Sequence, residues 1–131
     1  MHAMTLRLSP GDDLRAALDH AFRERGLSAA YVLQGIGSLS VARLRYAGRD
    51  DAAELRGDLE ILTLAGTLSQ HGPHLHMSIS DADGRVFGGH VAPGCIVRTT
   101  AELLVASLAG ERYTREHDAA TGFAELVIRP A

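Results

Sequence analysis

His74 and His76 sit one residue apart in a strictly alternating run, Gly72-Pro73-His74-Leu75-His76-Met77-Ser78-Ile79-Ser80. In an extended chain His74, His76, Ser78 and Ser80 share one face, and Leu75, Met77 and Ile79 share the other. Asp81-Ala82-Asp83-Gly84 follows as a turn signal, then Arg85-Val86-Phe87-Gly88-Gly89-His90-Val91. The chemistry of this stretch depends on where the hairpin puts His90.

Two registers are available. A two-residue loop, Ala82-Asp83, pairs His76 with Gly89 and places His90 on the apolar face. A three-residue loop, Ala82-Asp83-Gly84, is a type I turn with Gly84 in a left-handed bulge position. It pairs Asp81 with Arg85, Ile79 with Phe87, His76 with His90, and Leu75 with Val91. Only the second keeps apolar residues together, so face consistency selects it. His76 and His90 then oppose each other with Cβ atoms roughly 4.5–5.5 Å apart, and His74 lies on the diagonal.

His74, His76 and His90 in that arrangement form a facial set for zinc or a similar divalent ion. Three neutral imidazoles leave the charge of such an ion uncompensated, so it polarises a water or carbonyl at an open fourth position. Gly88 and Gly89 are expected to leave room there. The alternative is a wet sheet face whose histidines only hydrogen-bond one another. Metal binding by free imidazoles weakens as pH falls through roughly 6.5. His71 reads as a turn residue, and His2, His20 and His117 read as solvated. Cys95 reads as a small buried side chain rather than a nucleophile.

The elements that position this hairpin are legible in outline. Ser9, Pro10, Asp12 and Asp13 suit a helix start, Leu14, Ala17, Leu18, Ala21 and Phe22 recur at helical spacing, and Gly26 suits the stop. A helix is expected over 10–25. Strands are expected over 30–33, 39–46, 59–68, 95–105 and 123–128, with Gly35-Ile36-Gly37-Ser38 as a break and Gly66 as a bulge or close approach. Residues 48–57 and 109–122 read as loops. One helix with six or seven mostly antiparallel strands is an α+β fold, a single domain over 1–131 with its core at about 5–129.

Composition narrows the function. The chain has 131 residues, with 13 basic and 16 acidic side chains for a net charge of −3, which does not favour binding to nucleic acid by charge alone. A single cysteine rules out an internal disulfide and suits a reducing cytoplasm. There is no apolar run of membrane-spanning length, and residues 1–4 hold no signal-peptide core.

Gly35-Ile36-Gly37-Ser38-Leu39, the run from Leu59 to Gly66, and the stretch from His74 through Gly84-Arg85-Val86 to Gly88-Gly89-His90 together resemble the PPC domain (plants and prokaryotes conserved). The resemblance extends from the first helix to about Ile128. It implies an α+β fold and a homotrimer. In plants the domain follows AT-hook motifs that contact DNA, while the domain itself assembles trimers and recruits partners. No Arg-Gly-Arg-Pro core or basic arm stands in this sequence, so the DNA-binding role often attached to the family is not expected to be direct. More distantly, the order His-x-His, Asp-Gly-Arg, Gly-Gly-His is similar to the zinc site of acetolactate decarboxylase. That similarity matches His74, His76 and His90 to the ligands and makes Glu60 a candidate acid/base group. As a strand residue, Glu60 equally suits an ion pair with an arginine. Arg43 and Arg45 share a strand face that suits an anion or ion pairs. The combined expectation is a homotrimeric regulatory or interaction module with a three-histidine zinc site and weak or indirect DNA contact. The alternative is a small zinc-dependent, decarboxylase- or lyase-like enzyme acting on a carbonyl or carboxylate metabolite.

Overall fold

The computed structural model describes residues Met1–Ala131. Its elements run β1 (His2–Leu8), α1 (Leu14–Glu24), β2 (Ala30–Arg45), β3 (Ala53–Ser69), β4 (Gly72–Ser80), β5 (Val86–Val91), β6 (Ile96–Ser107), β7 (Glu111–Asp118) and β8 (Phe123–Pro130). Six strands form one sheet in the order β1-β6-β2-β3-β4-β5, and β7 and β8 form a separate ribbon. All the pairings are antiparallel, as expected for α+β. The end of β2 also pairs with β5, Leu44 with Val91 and Arg45 with His90. Because β3 holds the other edge of β2 at Leu44, strands β2 to β5 close on themselves. Leu14, Leu18 and Phe22 of α1 join Leu64, Leu75, Met77 and Ile79 in the core.

The helix begins later than its sequence suggests. Asp13, not Ser9, caps it: the Asp13 carboxylate accepts from Ala16 N at 3.0 Å and from Gly94 N at 2.7 Å. Ser9 and Asp12 instead close a turn, with Ser9 N donating to the Asp12 carboxylate at 2.8 Å. Nor does β2 break at 35–38. It runs through as one bulged strand, and its register against β6 shifts between Val32 and Gln34. There the Gln34 side-chain oxygen accepts from Gly35 N and Leu64 N at 2.9 and 3.1 Å, so the bulge leaves these donors satisfied. The loop expected over 48–57 is half strand, because β3 already starts at Ala53.

Two strands escape the sequence reading. β1 pairs along β6 from His2–Ser107 to Leu8–Ala101. β7, expected as loop, pairs along its whole length with β8. The ribbon docks through Tyr113 N to Ser28 O at 3.0 Å and through Arg115, whose Nη2 donates to Thr67 Oγ1 at 2.7 Å.

Gly66 is the close approach that the sequence suggests. Its φ is +153°, and a Cβ there would overlap the His74 carbonyl oxygen and the Leu75 Cα. Gly66→Ala should therefore cost about 2 kcal/mol or more, by forcing apart the strands that position His74. Urea unfolding measures it, and an unchanged midpoint would contradict the expectation.

Candidate metal centre

The β4–β5 hairpin takes the bulged register. Gly84 N donates to Asp81 O at 3.0 Å, Asp81 N donates to Arg85 O at 2.9 Å, and Gly84 has φ +78°. Asp81 tightens the turn, accepting from Asp83 N and Arg85 N on one carboxylate oxygen and from Arg85 Nε on the other. These bonds outweigh the desolvation of Asp81 and hold its carboxyl below the usual range. Ile79 accordingly opposes Phe87, and His76 opposes His90. Past His90 the chain turns to another neighbour, so Val91 pairs with Leu44 of β2.

The three imidazoles converge. His76 Nε2 lies 3.1 Å from His90 Nδ1. One ring nitrogen from each of His74, His76 and His90 falls within a set whose members are all within 4.8 Å of one another. His74 stacks on His90, with centroids 5.6 Å apart and planes 18° apart, while His76 stands edge-on to both. Tetrahedral zinc with nitrogens at about 2.0–2.1 Å needs its ligand atoms roughly 3.3 Å apart. The 3.1 Å pair is already near that spacing, and a nitrogen of His74 lies within 4.8 Å of the other two ligand atoms. A dication held there would supply a Lewis acid with an open coordination position.

Electrostatics favour the form of imidazole that coordinates. His74 is pushed down to about 4, first by loss of hydration, then by the Arg115 guanidinium, the other two rings and Arg45. His90 is lowered as well, by burial and then by Arg45 and His76. Proton competition at these two rings therefore sets in at lower pH than the value near 6.5 expected of free imidazole.

Glu60 does not join the cluster within the chain. It pairs with Ser80, four residues along β4 from His76 and so about 13 Å away. It is exposed, with Arg98 Nη2 at 3.8 Å. Arg43 is engaged by Glu54 at 3.1 Å, but Arg45 opposes His90 directly. Gly89 does not open space for an ion. A Cβ there would crowd the Arg45 carbonyl at 2.9 Å, so Gly89 lets β5 approach β2. His71 is in a turn as expected, and its Nδ1 accepts from Arg115 N at 3.0 Å. Cys95 is buried, its thiol pushed up by desolvation.

Two groups beside the cluster were not singled out in the sequence. Arg115 and Glu125 come from the β7–β8 ribbon and line the clefts next to His74. Arg115 falls in a segment that reads as polar loop and Glu125 in the last expected strand, and only the docking of the ribbon brings both there.

The Plants and Prokaryotes Conserved (PCC) domain model matches residues 1–109. The chain belongs to that family. It is 46% identical over 123 residues to the bifunctional protein GlmU of Synechococcus sp. strain JA-3-3Ab, covering 94% of this chain but only 20% of that relative. A hypothetical protein from Salmonella cholerae-suis superposes with a TM-score of 0.95 at 39% identity, over 98% of this chain and 94% of that chain. The metal-containing protein AF0104 from Archaeoglobus fulgidus gives 0.83 at 30%, over 97% and 94%. A Staphylococcus aureus protein similar to α-acetolactate decarboxylase, at 0.52 and 14% over 82% and 53%, shares the fold alone. So do two neighbours named for suspected DNA binding, from Bacteroides thetaiotaomicron and Ralstonia eutropha, each 22% identical. The family match ends before the β7–β8 ribbon that carries Arg115.

The depressed His74 has a measurable consequence for the metal-free protein. Unfolded, its imidazole titrates near 6.5; folded, it does so at about 4. Between these values the unfolded chain binds the extra proton. The stability contributed by neutral His74 is therefore complete above about 6.5 and lost as pH falls toward 4. Thermal unfolding from pH 7.5 to 4.5 should show that decline, and His74→Asn should flatten it. An identical slope in the variant would contradict the assignment.

Proposed function

We propose that this PCC domain is a cytoplasmic homotrimeric module that holds a divalent ion, zinc by the chemistry of its donors, on His74, His76 and His90. The observation that carries the reading is the convergence of three ring nitrogens from a single hairpin, with two of the rings held neutral by their surroundings. The Archaeoglobus relative, described as metal-containing, supports it. No helix is long and apolar enough to cross a membrane.

The trimer reading rests on uncovered apolar surface. Leu33, Ile36, Leu62 and Leu104 stand exposed on the central strands β2, β3 and β6, where other copies of the chain would cover them. Direct affinity for duplex DNA is expected to be weak and strongly salt-dependent. Many arginines are already engaged: Arg43 and Arg56 with Glu54, Arg98 with Asp58 and Glu60, Arg85 with Asp81 and Asp83, and Arg129 with Glu116. The net charge of −3 keeps counterion release on duplex DNA small.

A second reading is a small zinc-dependent enzyme of decarboxylase or lyase type. The clefts that meet at the cluster favour it. Glu125, which lines two of them beside His74, is better placed than Glu60 for proton transfer. Metal-dependent turnover lost in Glu125→Gln with zinc retained would establish it.

The direct test of the first reading is zinc titration calorimetry at pH 7.5. His76→Ala should weaken binding by more than about 100-fold, whereas His71→Ala should leave it within about two-fold, since His71 lies outside the ligand set. Equal affinities for wild type and His76→Ala would reduce the cluster to a polar face. Light scattering at micromolar concentration tests assembly. A stable monomer there would contradict the trimer.

A further inference from the structure

Arg45 and Arg115 bracket the histidine cluster from unrelated parts of the chain. Arg45 opposes His90 across the β2–β5 pairing. Arg115 reaches in from β7 to bond Thr67 Oγ1 at 2.7 Å, and Thr67 in turn opposes His74 across the β3–β4 pairing. Both guanidiniums thus flank an outer ring of the trio, and both line one cleft of about 500 Å³ with His74 and His90.

Neither arginine has a carboxylate within ion-pairing distance, in contrast to Arg43, Arg56, Arg85, Arg98 and Arg129. Arg45 donates one bond, to the Arg49 carbonyl at 3.2 Å. Arg115 donates its side-chain bond to a neutral hydroxyl. Acidic groups are near but pair with neither arginine: Asp50 and Asp51 line the cleft on the Arg45 side, Glu125 lines the clefts on the Arg115 side, and Asp118 there accepts from Ala120 N at 2.8 Å. The chain is acidic overall, yet it leaves two planar donor forks without a carboxylate partner beside three imidazoles. Adding a dication makes that imbalance larger. A guanidinium fork matches the paired oxygens of a carboxylate, and burial against a protein wall strengthens the match.

We infer that the cleft is a subsite for a small 2-hydroxy- or 2-oxo-carboxylate. Its carboxylate is gripped by Arg45 and Arg115, and its adjacent oxygen is directed at the position the three histidines surround. This rests on the metal reading above and deepens it. A cleft of this volume suits a small molecule rather than a macromolecule. The β7–β8 ribbon, outside the family match, then sets ligand preference, because it delivers one of the two clamps.

The test is calorimetry with lactate as the probe, on apo and zinc-loaded protein, with inorganic phosphate as a second arm. Lactate should bind the zinc-loaded form and weaken about ten-fold in Arg45→Gln and in Arg115→Gln, with zinc affinity kept within a few-fold. Arg112→Gln, on the opposite face of the ribbon from Arg115, should change nothing. Arg45 makes none of the ribbon's docking bonds, so its variant stands even where Arg115→Gln loosens the ribbon. Unchanged lactate affinity in Arg45→Gln overturns the subsite, as does equal affinity for the apo protein. Tighter phosphate than lactate binding overturns the carboxylate assignment. Absence of zinc binding by the wild type overturns the metal reading and the subsite together, whereas zinc binding without a lactate response overturns the subsite alone.

Discussion

A single extra residue in the β4–β5 turn sets the chemistry of this domain. With Gly84 at φ +78°, the hairpin carries a one-residue bulge, and His90 emerges on the same face as His74 and His76. Without the bulge every side chain of β5 would change face. His90 would enter the core and Phe87 would enter water. The Asp81 carboxylate, accepting from Asp83 N and Arg85 N and ion-paired to Arg85, holds the turn in that geometry. The cluster is thus built from adjacent strands, which suits a site that must keep ring nitrogens within a few tenths of an ångström.

The rest of the sheet aims that hairpin. Closure of β2 on β5 brings Arg45 beside His90, and the close approach at Gly66 lets β3 lie tightly against β4 at His74. Burial first, and then the positive neighbours, depress His74; both disfavour a protonated ring, yet they suit a neutral ligand and the arginines suit an anionic guest. The same surroundings that cost a charged histidine free energy thereby keep the imidazole ready for a metal.

Much of this was legible in the sequence because it depends on local alternation. The period of two across 72–80, the turn residues at 81–84 and the apolar partners of 87–91 are enough to bring His74, His76 and His90 together. The missed parts depend on partners distant in the chain. Gly35 to Ser38 reads as a break, but tertiary pairing on both edges carries β2 through it, with Gln34 absorbing the bulge. Residues 111–118 are polar and read as loop. They form a strand because β8 pairs with them and Arg129 bonds Glu116 and Thr114 across the ribbon. Arg115 carries no local signal of its role, since only ribbon docking places it by Thr67. At the helix start Ser9 and Asp13 are both acceptable caps by type; the bond from Gly94 N to Asp13 decides between them, and it is tertiary.

The central claim is that the three rings are ligands and not merely neighbours. X-ray absorption at the zinc edge, combined with anomalous diffraction from crystals of the zinc-loaded protein, tests it directly. The expected result is one zinc per chain, with imidazole nitrogens of His74, His76 and His90 at about 2.0–2.1 Å and a lighter atom in the fourth position. Zinc bound elsewhere, or no ordered zinc while the bond between His76 and His90 persists, would contradict it.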